Sequence, residues 1–264
     1  MGKSTTFGRN LRRDVKRLCK RLKDYVKDPM NEKNIHDIRV SIRRVDVALS
    51  LLPKKDRRQS SRRFEKYLKL LRANGEARDC DTIASRLATL GVITVSDLRV
   101  KKRSKIARAV IVAASLKKLP LPTIDMLDDK RVDKISSWLI GRIKETFPIV
   151  LNDGRRVKEL HRIRRDVRKL RYILDFLPDS RRSVLVNKLN RATGNKIELQ
   201  RLQDLLGSIH DCDVTLEYLR SQPNFKELLA REIDIRNHLY IRFFNFMKNK
   251  NSRSDVGHVI DAKN

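Results

Sequence analysis

Apolar residues return every three or four positions along almost the whole chain, and strand-like alternation is confined to the short run Val92–Val95. That spacing matches an α-helix of about 3.6 residues per turn with one face buried. The chain is therefore expected to be all-α. Leu11, Val15, Leu18, Leu22 and Tyr25 mark the first helix, which Asp28-Pro29 closes. A second is expected over Asn31–Leu52, stopped by Pro53, and a long third over Lys55–Leu90 with Gly75 as its candidate break. A fourth covers Ser96–Leu119. The stretch "LPLPTIDMLDD" (Leu119–Asp129), with two prolines and a shift to acidic residues, reads as a linker. Helices then resume over Lys130–Leu151, Gly154–Leu177, Asp179–Leu219 and Asn224–Lys250, and residues 251–264 form a polar tail expected to be loose.

Eight helices divide as four plus four, and the two halves share sequence. "IHDIRVSIRRVDVALSLL" (35–52) aligns with "LHRIRRDVRKLRYILDFL" (160–177), pairing His36 with His161, Arg39 with Arg164 and Arg43 with Arg168. "GEARDCDTIASRL" (75–87) aligns with "GSIHDCDVTLEYL" (207–219), pairing Gly75, Asp79, Cys80, Asp81 and Leu87 with Gly207, Asp211, Cys212, Asp213 and Leu219. Two blocks recurring in the same order point to an internal repeat.

The first block carries chemistry. At about 100° per residue, His161, Arg164, Arg168 and Arg171 fall within an arc of about 80° and extend about 15 Å along the axis. Leu160, Ile163, Val167, Leu170, Leu174 and Leu177 occupy the opposing arc, the core face. Ile35, Ile38, Ile42, Val45 and Leu49 against His36, Arg39 and Arg43 repeat the division. A face made for solubility would mix Glu with Lys at i, i+4, whereas these stripes are nearly acid-free. They also favour Arg, whose planar donor fork matches phosphate oxygens.

Composition points the same way. Lys+Arg number 62 against 32 Asp+Glu, a formal charge of +30. Such an excess opposes compaction and favours polyanionic partners, namely nucleic acid, an anionic membrane or a phosphate polymer. The hydrophobic share of 40% still suffices for a core. Aromatics make up only 5%, few for a protein that stacks bases, so the pattern suits a reader of phosphates, although a duplex binder also needs few. Cys19, Cys80 and Cys212 form no CxxC pair, which argues against a disulfide scaffold or zinc knuckle. No apolar run approaches the ~20 residues of a membrane span, and the first residues lack a signal-peptide core, so a soluble cytoplasmic protein without membrane insertion is expected. Gly2-Lys3-Ser4 lacks the upstream glycine and strand of a phosphate-binding loop. Gly2 with Thr6 fits a myristoylation signal only formally.

His36 and His161 have no His, Cys or carboxylate partner at i+4 on their face, and a dication among arginines is electrostatically unfavourable, so no metal is expected. Each histidine either donates to a phosphate oxygen or bonds a neighbouring side chain. The pairs Asp79/Asp81 and Asp211/Asp213 allow a cation site. They fit better a division in which one Asp caps or bends its helix and the other holds a motif arginine. Cys80 and Cys212 read as small core residues. With no catalytic triad, nucleophile elbow or glycine-rich phosphate loop, neither enzymatic activity nor a cofactor is expected.

The blocks "HDIRVSIRR" (36–44), "GEARDCD" (75–81), "HRIRRDVRKLRY" (161–172) and "LQDLLGSIHDCD" (202–213) resemble the conserved histidine α-helical domain, the CHAD family. The resemblance spans nearly the whole chain. It implies two four-helix bundles related by a pseudo-two-fold, here residues 1–122 and 123–250, with a basic groove or pore between them. It also implies binding of inorganic polyphosphate without turnover by a stand-alone domain; for the cytoplasmic protein expected from composition, association with polyphosphate granules is left open. The residues it assigns to the polymer are His36, Arg39, Arg43, Arg44 and Arg78 from the first half, and His161, Arg164, Arg168, Lys169 and Arg171 from the second. The chain departs from the family pattern at Asp46, which stands where the family carries an arginine and opposite Arg171, and at His210, where asparagine is more usual. A nucleic-acid binder using the same basic surface, and a metal-dependent phosphohydrolase built on His36, His161 and the Asp pairs, are the rival readings.

Overall fold

The computed structural model describes residues 5–92, 96–116 and 127–248. Its elements are helical: α1 (Thr6–Lys27), α2 (Glu32–Ser50), α3 (Lys54–Thr89), α4 (Ser96–Ala114), α5 (Asp129–Asn152), α6 (Val157–Leu174), α7 (Asp179–Thr193), α8 (Leu199–Arg220), a 3₁₀ turn at Pro223–Phe225 and α9 (Lys226–Lys248). Local chemistry sets the starts. The Thr5 hydroxyl accepts from the Gly8 amide at 3.2 Å, Asn31 accepts from the Lys33 and Asn34 amides, and Asp128 accepts from the Arg131 amide.

Two expectations change. The helix expected over Asp179–Leu219 is two helices, making nine among the described residues where eight were expected. Gly194 adopts φ +69°, the left-handed C-cap that glycine tolerates, and the Asn195 amide bonds back to the Asn190 carbonyl. The Ile197 amide then donates to the Asn190 side chain at 2.9 Å, fixing the turn. Gly75, the candidate break, sits inside an unbroken 36-residue α3. The expected linker falls largely, and the Val92–Val95 run and the polar tail wholly or mostly, outside the described residues.

The first four helices pack in succession, α1 on α2, α2 on α3 and α3 on α4, with α1 also touching α4. In the second half α6 lies against α5 and α8, α8 against α9, and α7 against α5. The halves meet through α2 on α6 and α3 on α8, the helices that the repeated blocks place in register. Buried side chains of both halves, among them Leu11, Ile38, Ile42, Leu70, Leu139, Ile163, Leu170, Leu206 and Phe243, form one continuous core. Each such side chain contributes roughly 1.5–3 kcal/mol of burial, so the α2–α6 seam is a packed interior wall. A smaller cluster of Cys80, Ile83, Leu87, Leu90, Leu98 and Leu219 closes the α3–α4–α8 end. No helix among the described residues is long and apolar enough to cross a membrane.

Candidate anion-binding site

The apolar stripes of α2 and α6 are buried as their periodicity requires, from Ile35 to Leu49 and from Leu160 to Leu174. The two helices touch, so the flanking arginines converge at the seam. Arg39 and Arg43 come from α2, Arg164 and Arg168 from α6, all partly buried. Burial and the neighbouring charges of Arg168, Arg39 and Arg164 lower the Arg43 pKa to about 9. Burial leads again in lowering Arg39 and Arg164, each to about 10; Arg168 is the largest cationic influence on both, opposed by Asp79 at Arg39 and by Asp211 and Asp79 at Arg164. Burial also lowers Arg168. Among the described residues, no carboxylate lies within the 4.0 Å of an ion pair with any of the four. The Arg39 guanidinium reaches only the Leu71 carbonyl, at 2.8 Å. Four cations are thus held together, partly dehydrated and without an ion-paired carboxylate, an arrangement stabilised by an added anion.

The surrounding groups complete a cleft. Arg164, Arg168, Gln203, Asp204, Gly207, Ser208 and Asp211 line a cavity of about 300 Å³, with α8 forming its far wall. Asp79 faces Arg39 and Arg164, and Asp211 faces Arg164 and Arg78, but burial raises the pKa of both carboxyls. Arg78 and His36 lie at the same end, where burial and the Arg78 charge lower the His36 pKa.

His161 is engaged by the protein itself. Its Nε2 lies 3.1 Å from Asp213 Oδ2 and 2.9 Å from His210 Nδ1, with the two rings edge to face at 4.4 Å. Asp213 is the hub: its Oδ1 accepts from Arg236 Nε at 2.6 Å, and Arg236 Nη2 donates to the Gly154 carbonyl at 2.9 Å. Burial alone would raise the Asp213 pKa, but the bonds from His161 and Arg236 outweigh it and hold it low. His210, buried beside Arg164 and His161, is pushed down to about 3 and is neutral. Of the two roles open to His161, the bond to a neighbouring side chain is the one formed.

Other expected site residues point elsewhere. Arg44 donates to Asp14 at 2.9 Å and Asp175 at 2.6 Å, and its guanidinium stands 5.5 Å from the Tyr172 ring centre and 5.7 Å from that of Phe176. It clamps α1, α2 and the end of α6, and both its charge-bearing ends are occupied. Lys169 faces Asp46 and Asp166. Arg171 remains on the cationic row, donating to Gln200 Oε1 at 2.5 Å and lying over Tyr172. The Asp pairs cap nothing, because all four residues lie within helices. Asp81 pairs with Lys102 at 2.5 Å and Asp213 with Arg236, neither a motif arginine. The sequence reading missed Gln203, Ser208, Tyr172 and Arg236. Gln203, Gly207 and Asp211 are spaced by four on α8, a helical stripe that the arginine rows overshadow. Arg236 has no local signal.

A helical protein whose clustered guanidiniums stand beside a cleft without ion-paired carboxylates is the class that the fold and site define. Residues 9–220 match the family model described as the CHAD domain, and the chain belongs to that family. The fold is similar to the crystal structure of the CHAD domain from the plant Ricinus communis, with a TM-score of 0.57 and 18% identity over 95% of this chain and 94% of that one. No curated protein sequence matches the chain.

Proposed function

We propose that the protein binds inorganic polyphosphate in the cleft between α2, α6 and α8 and does not hydrolyse it. The observation that carries this reading is the convergence of Arg39, Arg43, Arg164 and Arg168 without an ion-paired carboxylate. A phosphate chain supplies closely spaced oxygens for guanidinium forks and needs no stacking surface. Among the described residues no three His, Cys, Asp or Glu side chains cluster as metal ligands. The reading includes a cytoplasmic protein that meets its polymer in solution or on granules.

Calorimetric titration of tripolyphosphate and long-chain polyphosphate into Arg164→Ala and Arg168→Ala tests it. Each variant should bind about tenfold or more weakly, the loss of a charge-assisted contact, with helix content unchanged by circular dichroism. Unchanged affinity in both would overturn the cleft assignment. Competition separates nucleic acid: polyphosphate should displace duplex DNA or structured RNA at far lower phosphate concentration than the reverse. Phosphate release with Mg²⁺ or Mn²⁺ should be absent.

A further inference from the structure

Six cations on α1 take no part in the fold. Arg9, Arg13, Lys16, Lys20, Lys23 and Lys27 follow at steps of four, three, four, three and four residues. At about 100° and 1.5 Å per residue this keeps them within an arc of about 80° and strings them over about 27 Å. Buried Phe7, Leu11, Leu18 and Tyr25 lie on the opposite side of the helix, so the row points straight outward. All six residues are exposed. Among the described residues none of them makes an ion pair, because the acids of this helix are committed elsewhere, Asp14 to Arg44 and Arg17, Asp24 to Arg21. Some cations on other helices are answered: Lys102 and Lys105 of α4 by Asp81 and Glu76, and Arg181 of α7 by Asp129 and Asp133. The charge is polarised in the same sense, with 33 Lys+Arg against 12 Asp+Glu in residues 1–122 and 29 against 20 in the remainder.

The helix that carries this row meets the end of α6. Asn10 donates to the Asp175 carbonyl at 3.2 Å, and Arg44 ties Asp14 to Asp175, so the first turns of α1 sit at the C-terminal end of α6. There the arginine series of α6 ends with Arg171. We propose that the outer face of α1 is a second polyanion contact, which takes the stretch of a long polyphosphate chain that leaves the cleft past Arg171. The proposal rests on the polyphosphate reading of the cleft. Four of the six cations are lysines, point charges that hold a flexible chain without fixing its register. The face offers no aromatic ring to stack a base, and its helix exposes no large apolar residue except Val26, so neither base recognition nor membrane insertion fits it.

The test is the triple variant Lys16→Gln/Lys20→Gln/Lys23→Gln, titrated with tripolyphosphate and with long-chain polyphosphate over a range of salt. Tripolyphosphate affinity should stay within about twofold, while long-chain affinity falls about tenfold or more. The slope of log K against log salt for the long chain should shrink by about 2, near 0.7 for each of three lost contacts. Unchanged long-chain affinity and slope would overturn the proposal. So would a variant that keeps long-chain polyphosphate but loses duplex DNA, RNA or phosphatidylserine vesicles, since the face would then serve another partner. Failure of the cleft reading is separate: it appears as tripolyphosphate that does not bind the unaltered protein or binds Arg164→Ala equally well, and the long-chain slope still reports on α1 alone.

Discussion

Replacing Arg43 with methionine should make the ligand-free protein more stable while it weakens anion binding. Burial and the charges of Arg168, Arg39 and Arg164 bring the Arg43 pKa from 12.5 to about 9. At about 1.4 kcal/mol per unit, the charged form is disfavoured in the fold by up to about 4–5 kcal/mol before solvent screening. Methionine retains the stem's packing but loses the guanidinium's interactions, which leaves a net gain on the order of 1–2 kcal/mol, or about 3–6 °C in Tm. The sign with pH follows: the folded pKa lies below the unfolded one, so the cost is fully present at neutral pH and is relieved only as pH rises through about 9. Urea unfolding followed by far-UV circular dichroism at low ionic strength measures the gain. The gain should shrink as salt screens the cluster, and tripolyphosphate should stabilise the unaltered protein more than the variant. A variant less stable than the parent at low salt would refute the reasoning, because the four arginines would then be a favourable structural network.

Arg44→Ala, one residue along, should do the opposite. It strands the nearly buried Asp14 carboxylate and costs about 3–5 kcal/mol in denaturant unfolding, yet should leave tripolyphosphate affinity within about twofold. Binding of long-chain polyphosphate should tighten as pH falls from about 8 to 5.5. In the free protein burial and the Arg78 charge lower His36 below the usual imidazole range. A bound anion raises the His36 pKa, so binding takes up protons, readable by calorimetry in buffers of differing ionisation enthalpy; a flat profile would refute this coupling. Gly154→Ala should destabilise by about 1–3 kcal/mol, because a Cβ there would lie 2.7 Å from the Tyr240 ring, whose hydroxyl is fixed to the Val150 carbonyl. An unshifted unfolding midpoint would show that the ring yields freely.

The core faces and the four central arginines were legible because a helix projects residues three and four apart onto one side whatever packs there. Arg43 and Arg44 show where that projection stops being enough. They differ by about 100° around the axis, so only Arg43 shares the stripe of Arg39, and the family resemblance alone added Arg44 and its repeat counterpart Lys169. The partners that answer these two, Asp14 and Asp175 for one and Asp46 and Asp166 for the other, become visible only when α1, α2 and α6 are packed. The same holds for His161, whose partner Asp213 lies 52 residues away. Gly75 and Gly194 make the point for the backbone. A glycine ends a helix when the following residues can close a cap, as Asn195 does, and passes unnoticed inside one when neighbours such as Asn74 are bonded across the core to Tyr25. Asp46 gains a different meaning as well: it faces Lys169 rather than the arginine cluster, so α2 and α6 each bring two guanidiniums to their seam. The difference between Asp46 and Arg171 therefore lies at the edge of the arginine cluster, where on the proposed route towards α1 a long chain would feel it and a short one would not.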